Sequence, residues 1–463
     1  MTVRSFATRR ACSAVTQSGR FAPGVALTVA ASLVLLAGQQ AKANGFAIVE
    51  QSASVAGYAA AGAAALSEDA SAQAYNPALL TELKGVTALT GVGIIWQSTD
   101  FDDDGSRDAT GGALSGSQVV NGQTEIVPSF FASAELSDGV VAGLGIFSPF
   151  GQSVDYTDGW IGRYQAVESD LQTINIAPAI AARVTDWLSV GVAGNLLYAD
   201  ATRVNAIDFG SICVLSLGAP ACGGLGLTPQ QNDGDVDAKL DDWATGFTAG
   251  VLFKPLERLS VGFSYRSKFD VDLEGDVDFD VPPEAAPLTA GGTLFQDGNG
   301  VSRLDFPEQV SLSTATQVTE ALMLLTDVTW TRWSRNDEIS IEFKSSTQPD
   351  IVESQNWDDT YRFAVGARYA PPSDVFVLRG GLAFDQSPVS DDNRTAGLPV
   401  GDRLTLALGA GWRPEPGVAF DFSYSYAREF GTDIDQSSAT AGTLTGDYDR
   451  EAHTLGLQVL VSF

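Results

Sequence analysis

The chain has 463 residues and a formal net charge of −30, with only three Cys, two Met and one His. So acidic a chain is no partner for nucleic acid. Its 48 glycines and a mean hydropathy near zero suit residues that alternate between lipid and water better than a continuous apolar core.

The first 43 residues read as an export signal, a segment removed before folding. Arg4, Arg9, Arg10 and Arg20 make a basic start, Val25 to Ala37 an apolar stretch, and Ala41-Lys42-Ala43 a small-residue cleavage site. The apolar stretch, at 13 residues, falls short of the ~20 needed to span hydrocarbon as a helix. These residues carry five basic and no acidic groups, so their loss takes the net charge to −35. No apolar run of spanning length follows, so a membrane crossing must use strands.

Residues 44–84 lack strand periodicity. Ser52 to Leu66 is rich in Ala, with Gly57 and Gly62, Ser67-Glu68-Asp69 suits a helix cap, and Asn76-Pro77-Ala78 forces a turn. Composition leaves open a disordered leader or a plug.

From residue 86 the pattern alternates. Fourteen two-faced strands are expected at about 86–100, 125–136, 140–150, 169–184, 188–205, 234–253, 259–274, 302–316, 320–343, 357–370, 375–387, 402–413, 418–430 and 449–463. The last shows the split most clearly: Leu455, Leu457, Val459, Val461 and Phe463 oppose Thr454, Gly456, Gln458 and Ser462. Connections alternate between short turns, such as Ser137-Asp138-Gly139, and long loops at 101–124, 151–168, 206–233, 275–301, 344–356, 388–401 and 431–448. Soluble sandwiches also alternate along strands, but only an outer-membrane barrel has reason to gather every long loop at one end. Trp187, Trp412, Tyr369 and Phe253 beside short turns, with Trp160, Trp243, Trp330 and Trp357 toward the other end, predict two interfacial girdles.

Within this frame several residues invite a role. Strand parity turns Arg203, Arg362, Arg368 and Arg379 inward, where guanidinium forks suit a carboxylate cargo; inward Asp385 and Asp421 equally suit a structural ion-pair network. Ser148-Pro149-Phe150-Gly151 interrupts the third strand. Because proline cannot donate to the ladder and glycine invites a bulge, a local gap in the wall is expected there. Cys213 and Cys222 share one outer loop and are candidates for a disulfide. Asp270, Asp272 and Glu274 begin a column of alternating carboxylates that could attract a divalent cation or simply be solvated. The single histidine, His453, lies on the lipid face by parity, so it offers no catalytic base and an enzyme is not expected.

Several stations resemble the FadL family of outer-membrane long-chain fatty acid transporters. They are Asn44-Gly45-Phe46, Glu68-Asp69-Ala70, Asn76-Pro77-Ala78-Leu79, Phe306-Pro307-Glu308, Trp330-Thr331-Arg332-Trp333-Ser334, Asp358 to Gly366, and Arg379 to Val389. The similarity runs from Asn44 to Phe463. It implies an all-β fold: a 14-stranded antiparallel transmembrane β-barrel over 86–463 with an N-terminal hatch segment, 44–85, plugging the lumen. It also implies passive transport of a hydrophobic cargo, a fatty acid or an aromatic hydrocarbon, without a cofactor. Cargo is expected to settle near Phe46 and Ile48 and to leave beside Pro149. An open diffusive porin is the alternative, disfavoured by the long segment ahead of the first strand. The expected setting is a monomer among outer-membrane lipids, delivered by the barrel-assembly machinery through the terminal Phe463.

Overall fold

A computed structural model describes residues 45–463 except 121, 158, 290–293, 345–347 and 374. The expected signal segment, 1–43, and Asn44 lie outside the described residues.

Fourteen staves form one closed antiparallel sheet. They are β1 (Val86–Asp103), β2 (Gln123–Ser137), β3 (arms Val140–Phe147 and Gly151–Asp155), β4 (Glu168–Thr185), β5 (Leu188–Asp208) and β6 (Asp233–Leu256). There follow β7 (Leu259–Arg266, Phe269–Asp280), β8 (Gly298–Phe306, Gln309–Gln317) and β9 (Leu322–Thr331, Glu338–Phe343). The circuit continues with β10 (Thr360–Tyr369, preceded by a short piece Ile351–Ser354), β11 (Phe376–Asp385), β12 (Asp402–Glu415), β13 (Val418–Phe430, extended by Asp433–Ser438) and β14 (Gly442–Ser462). β1 pairs with β14 from Thr87↔Ser462 to Asp103↔Gly446, which closes the ring.

The faces are inverted relative to a soluble core. Leu404, Leu406, Leu408, Phe420, Phe422 and Leu457 are exposed on the outside, while Thr405, Asp421, Ser423 and Gln458 are buried within. An exposed apolar band around a closed barrel is what hydrocarbon solvates, with every backbone group along the paired edges satisfied in the sheet.

Residues 46–82 fill the lumen. A short helix, α1 (Ala53–Ala56), is capped by Ser52, and two 3-10 turns, Ala70–Ala74 and Pro77–Glu82, are capped by Asp69 and Asn76. Close approach to the wall needs inward glycines: a Cβ on Gly262 would overlap the Ala64 carbonyl, and one on Gly381 the Tyr58 carbonyl. The Asn76-Pro77-Ala78 motif is a fastener. The Asn76 amide accepts from Ala78 N at 3.0 Å and donates to Ala64 O at 2.7 Å and to Val251 O of β6 at 3.0 Å.

Four staves break at one level, at Ser148 to Phe150 in β3, Ser267-Lys268 in β7, Pro307-Glu308 in β8 and Arg332 to Asp337 in β9. Sequence periodicity predicts the last three as continuous, while the break in β3 falls at the expected Ser148-Pro149-Phe150-Gly151. The physical reason differs by site: proline removes a ladder donor in β3 and β8, whereas at Ser267 the backbone N–H donates to Phe247 O of β6 and the hydroxyl accepts from Phe247 N, both at 2.8 Å, in a bulge.

The girdle holds at the short-turn end, where Trp187, Phe253, Tyr369 and Trp412 are all exposed. At the loop end Trp243 is exposed, but Trp160 and Trp357 are not girdle residues: they are 0% and 3% exposed. Trp160 stacks on Tyr156 among the outer loops, with ring centroids 3.8 Å apart. Trp357 turns into the lumen because the Asn356 backbone adopts φ +43° just ahead of β10.

Candidate functional site

Phe46, at the tip of the lumen segment, sits in an aromatic cage. Its ring lies edge-on to Trp333 at 4.7 Å, Phe306 at 5.6 Å, Trp357 at 5.7 Å and Phe150 at 6.1 Å. The cage exists because of the strand breaks: Phe150, Phe306 and Trp333 each belong to one. Such edge-to-face pairs contribute about 0.5–1.5 kcal/mol each beyond area burial.

The same tip is stitched to the third stave. Ile48 N donates to Pro149 O at 3.0 Å, Gly151 N donates to Phe46 O at 2.9 Å, and the Gln51 amide donates to Ser148 O at 2.8 Å. Backbone groups freed by the break in β3 are therefore satisfied by the tip instead of by β2. The consequence for the wall is direct. β2 pairs with β3 only from Ser137↔Val140 to Phe130↔Ile146, and the second arm of β3 pairs with β4 alone, from Gly151↔Gln172 to Asp155↔Glu168. Among the described residues Gln123 to Ser129 of β2 form no ladder with β3, and only side chains cross there, Gln123 and Glu125 at Ser153. A cavity of about 720 Å³ occupies the gap, walled by Pro128, Phe130, Ile146, Phe147, Phe150 and Leu171 among others. Ser148, Phe150 and Gly151, of the stretch expected to interrupt the third strand, border this cavity.

A second cavity, about 110 Å³, lies inside the barrel against Phe46 and is lined by Leu171, Leu240, Leu273, Leu304, Ile341 and Leu398. It shares Gln152, Asp170 and Leu171 with the cavity in the wall. The inward arginines fall into two groups around it. Arg203 reaches this cavity, with its fork held by Glu353 at 2.8 and 3.2 Å. Arg362, Arg368 and Arg379 instead serve the lumen segment and the wall. Arg362 bonds Asp385 at 3.0 Å and Ala59 O at 2.7 Å, Arg379 bonds Asp421 at 2.8 Å, and both Arg368 and Arg379 grip Glu68. Of the two readings the sequence left open, the ion-pair network is what these three form. Glu68, the centre of that network, carries no periodicity signal; its place in the Glu68-Asp69-Ala70 station is the only hint the sequence offers.

Cys213 and Cys222 are bonded, with Cα atoms 5.8 Å apart. They join two helices absent from the strand pattern, α2 (Phe209–Leu217) and α3 (Ala219–Leu225). The outer loops pack on one another: Asp108, between β1 and β2, accepts from Thr110 N and Gly112 N at 2.9 Å and from the Gln230 amide at 2.8 Å. Burial pushes that carboxyl up, but the bonds from Thr110, Gln230 and Gly112 hold it below the usual carboxylate range.

The expectation of a cation at Asp270, Asp272 and Glu274 is corrected. Each is exposed and met by a cation of the protein: Lys268 and Arg335 at Asp270, Arg303 at Asp272, Lys344 at Glu274. Among the described residues no three potential ligands converge. His453 keeps its place on the outer face, bonded to the exposed Tyr424 hydroxyl at 2.7 Å.

A closed barrel with an apolar exterior, a lumen filled by its own N-terminal segment and an apolar cavity beside a gap in the wall defines an outer-membrane barrel of the plugged kind. Residues 34–463 match the family described as outer membrane protein transport protein (OMPP1/FadL/TodX), and the chain belongs to that family. It is 30% identical to outer membrane protein P1 of Haemophilus influenzae over 94% of this chain and 98% of that one. It is 28% identical to a long-chain fatty acid transport protein of Escherichia coli, covering 87% and 90% respectively. Among solved structures, a FadL homologue of Pseudomonas aeruginosa superimposes with a TM-score of 0.81 at 22% identity, covering 91% of this chain and 100% of that one. The toluene transporter TbuX of Ralstonia pickettii gives 0.64 at 18%, with 89% and 98% covered. The chain is thus a transporter of the Gram-negative outer membrane and not an enzyme.

Proposed function

We infer that this barrel admits hydrophobic molecules among its outer loops, holds them in the apolar cavity at Phe46, and releases them through the wall beside Pro149. Long-chain fatty acids are the cargo this reading favours. One observation carries it: the tip that fills the aromatic cage is also the partner of the broken stave. Withdrawal of Phe46 to Ile48 would vacate the cage and free the backbone of Pro149 and Gly151 in a single movement. Sideways release suits an apolar cargo, since a vertical path past Glu68, Arg368 and Arg379 would cost roughly 0.8 kcal/mol per methylene exposed to polar surroundings. The relatives named for long-chain fatty acid transport support an acyl cargo. The cage of Phe and Trp rings equally suits an aromatic hydrocarbon, and several structural neighbours are toluene transporters.

Cysteines at Gln123 and Ser153, joined by a short bifunctional reagent across the gap, test the route. Oleate uptake into cells should fall to background and return when a cleavable linker is cut. Undiminished uptake in fully cross-linked protein would send the cargo straight down the barrel. Mass spectrometry of what co-purifies in detergent separates the two cargo classes.

A further inference from the structure

The lumen holds a third, polar cavity directly under the tip, about 60 Å³, enough for several waters or one carboxylate group. Ala47, Ile48, Val49 and Pro149 roof it, and Tyr75, Thr248, Ser264, Gln309, Ser311 and Thr329 bring hydroxyl and amide groups to its walls. Arg266, at the end of the first arm of β7, lines it. Its guanidinium donates to Ala74 O at 2.7 Å and to the Gln309 side chain at 3.4 Å. No carboxylate of the described residues pairs with it, unlike Arg203, Arg362, Arg368 and Arg379, whose forks are taken. Asp327 and Arg362 also reach this cavity, but Asp327 is held by Ser313 and Thr329, and Arg362 by Asp385.

A partly buried guanidinium without a counter-charge, in a cavity lined by hydroxyl and amide groups, is a site for a small anion, and withdrawal of the tip would also free the Tyr75 hydroxyl, which donates to Val49 O at 2.7 Å. We propose that Arg266 receives the carboxylate of an acyl cargo once the tip has moved. The head group then sits beneath Pro149 while the tail stays in the apolar cavity and the wall gap. Because Ile48 lines both the polar cavity and the gap, one molecule can occupy the two together only after Ile48 leaves. Head-group capture would thereby hold the tip in its withdrawn position. This assignment rests on the acyl-cargo reading above.

The test compares oleate with oleyl alcohol, which has the same tail and no carboxylate, binding to purified protein in detergent. For the native protein oleate should bind the tighter. Arg266→Gln should weaken oleate by about tenfold or more, as loss of one charge-assisted bond does, and leave oleyl alcohol unchanged. Arg266→Lys should recover part of the loss. If the substitution weakens both ligands equally, or neither, Arg266 serves only to seat Ala74 and the assignment fails while the cargo reading stands. If the native protein binds neither ligand, it is the cargo reading that fails.

Discussion

Glu68 joins the lumen segment to the wall through two arginines at once. Only 3% exposed, it faces Arg368 and Arg379 together. Removing its charge leaves two guanidiniums in a dry interface with one remaining partner, Asp421, an imbalance that costs about 3–5 kcal/mol in buried pairs. The Glu68→Gln variant should therefore fold as a barrel but hold its plug loosely, and planar-bilayer recordings should show frequent openings where the native protein is closed. A quiet trace would mean that the hydrogen bonds of Asp69 and Asn76 are enough. At this scale the sequence was half legible. Alternation placed all four arginines inward, because side chains on a strand can only point two ways. The same parity offered Asp385 and Asp421 as partners, but Glu68, which Arg368 and Arg379 share, could not be read, since it lies 300 residues from Arg368 in a segment without a period.

Elements were legible wherever a strand stays paired on both edges, and the staves fall where alternation places them. What the pattern concealed were the breaks in β7, β8 and β9, since a residue pair displaced by a bulge hardly disturbs a period of two; only the break in β3 announced itself, through Pro149. Phe306-Pro307-Glu308 and Trp333-Ser334 carried that information as motifs, without saying that their rings meet around Phe46. The helical hairpin α2 and α3 was equally hidden, because its order comes from packing: Phe209, Cys213, Cys222, Leu227 and Ala285 bury one another above the rim. Closing so small a loop contributes about 2–3 kcal/mol of local order. Replacing both cysteines by serine should leave the heat-modifiable migration of the barrel unchanged while exposing the segment near Leu215 to added protease within minutes. A variant as resistant as the native protein would show that Phe209 and Leu227 order the hairpin alone.

For the whole molecule, wall and plug are separable in a way that no single contact is. The ring closes through β1 and β14, and among the described residues the only backbone bridge between lumen segment and wall is Ala47↔Phe150. Loss of Glu68 alone leaves arginines stranded in a dry interface, whereas loss of the whole segment admits water, and hydrated guanidiniums carry no such penalty. Deleting residues 46–82 should therefore be gentler on the barrel than its 37 residues suggest. The variant should keep its folded, heat-modifiable band on gels with a midpoint within a few degrees of native. In planar bilayers it should conduct continuously, and cells carrying it should admit small polar solutes that the native barrel excludes. Should the variant reach the membrane only as unfolded chain, the inward glycines at Gly262 and Gly381 would have to be understood as needing the plug for the wall to close at all.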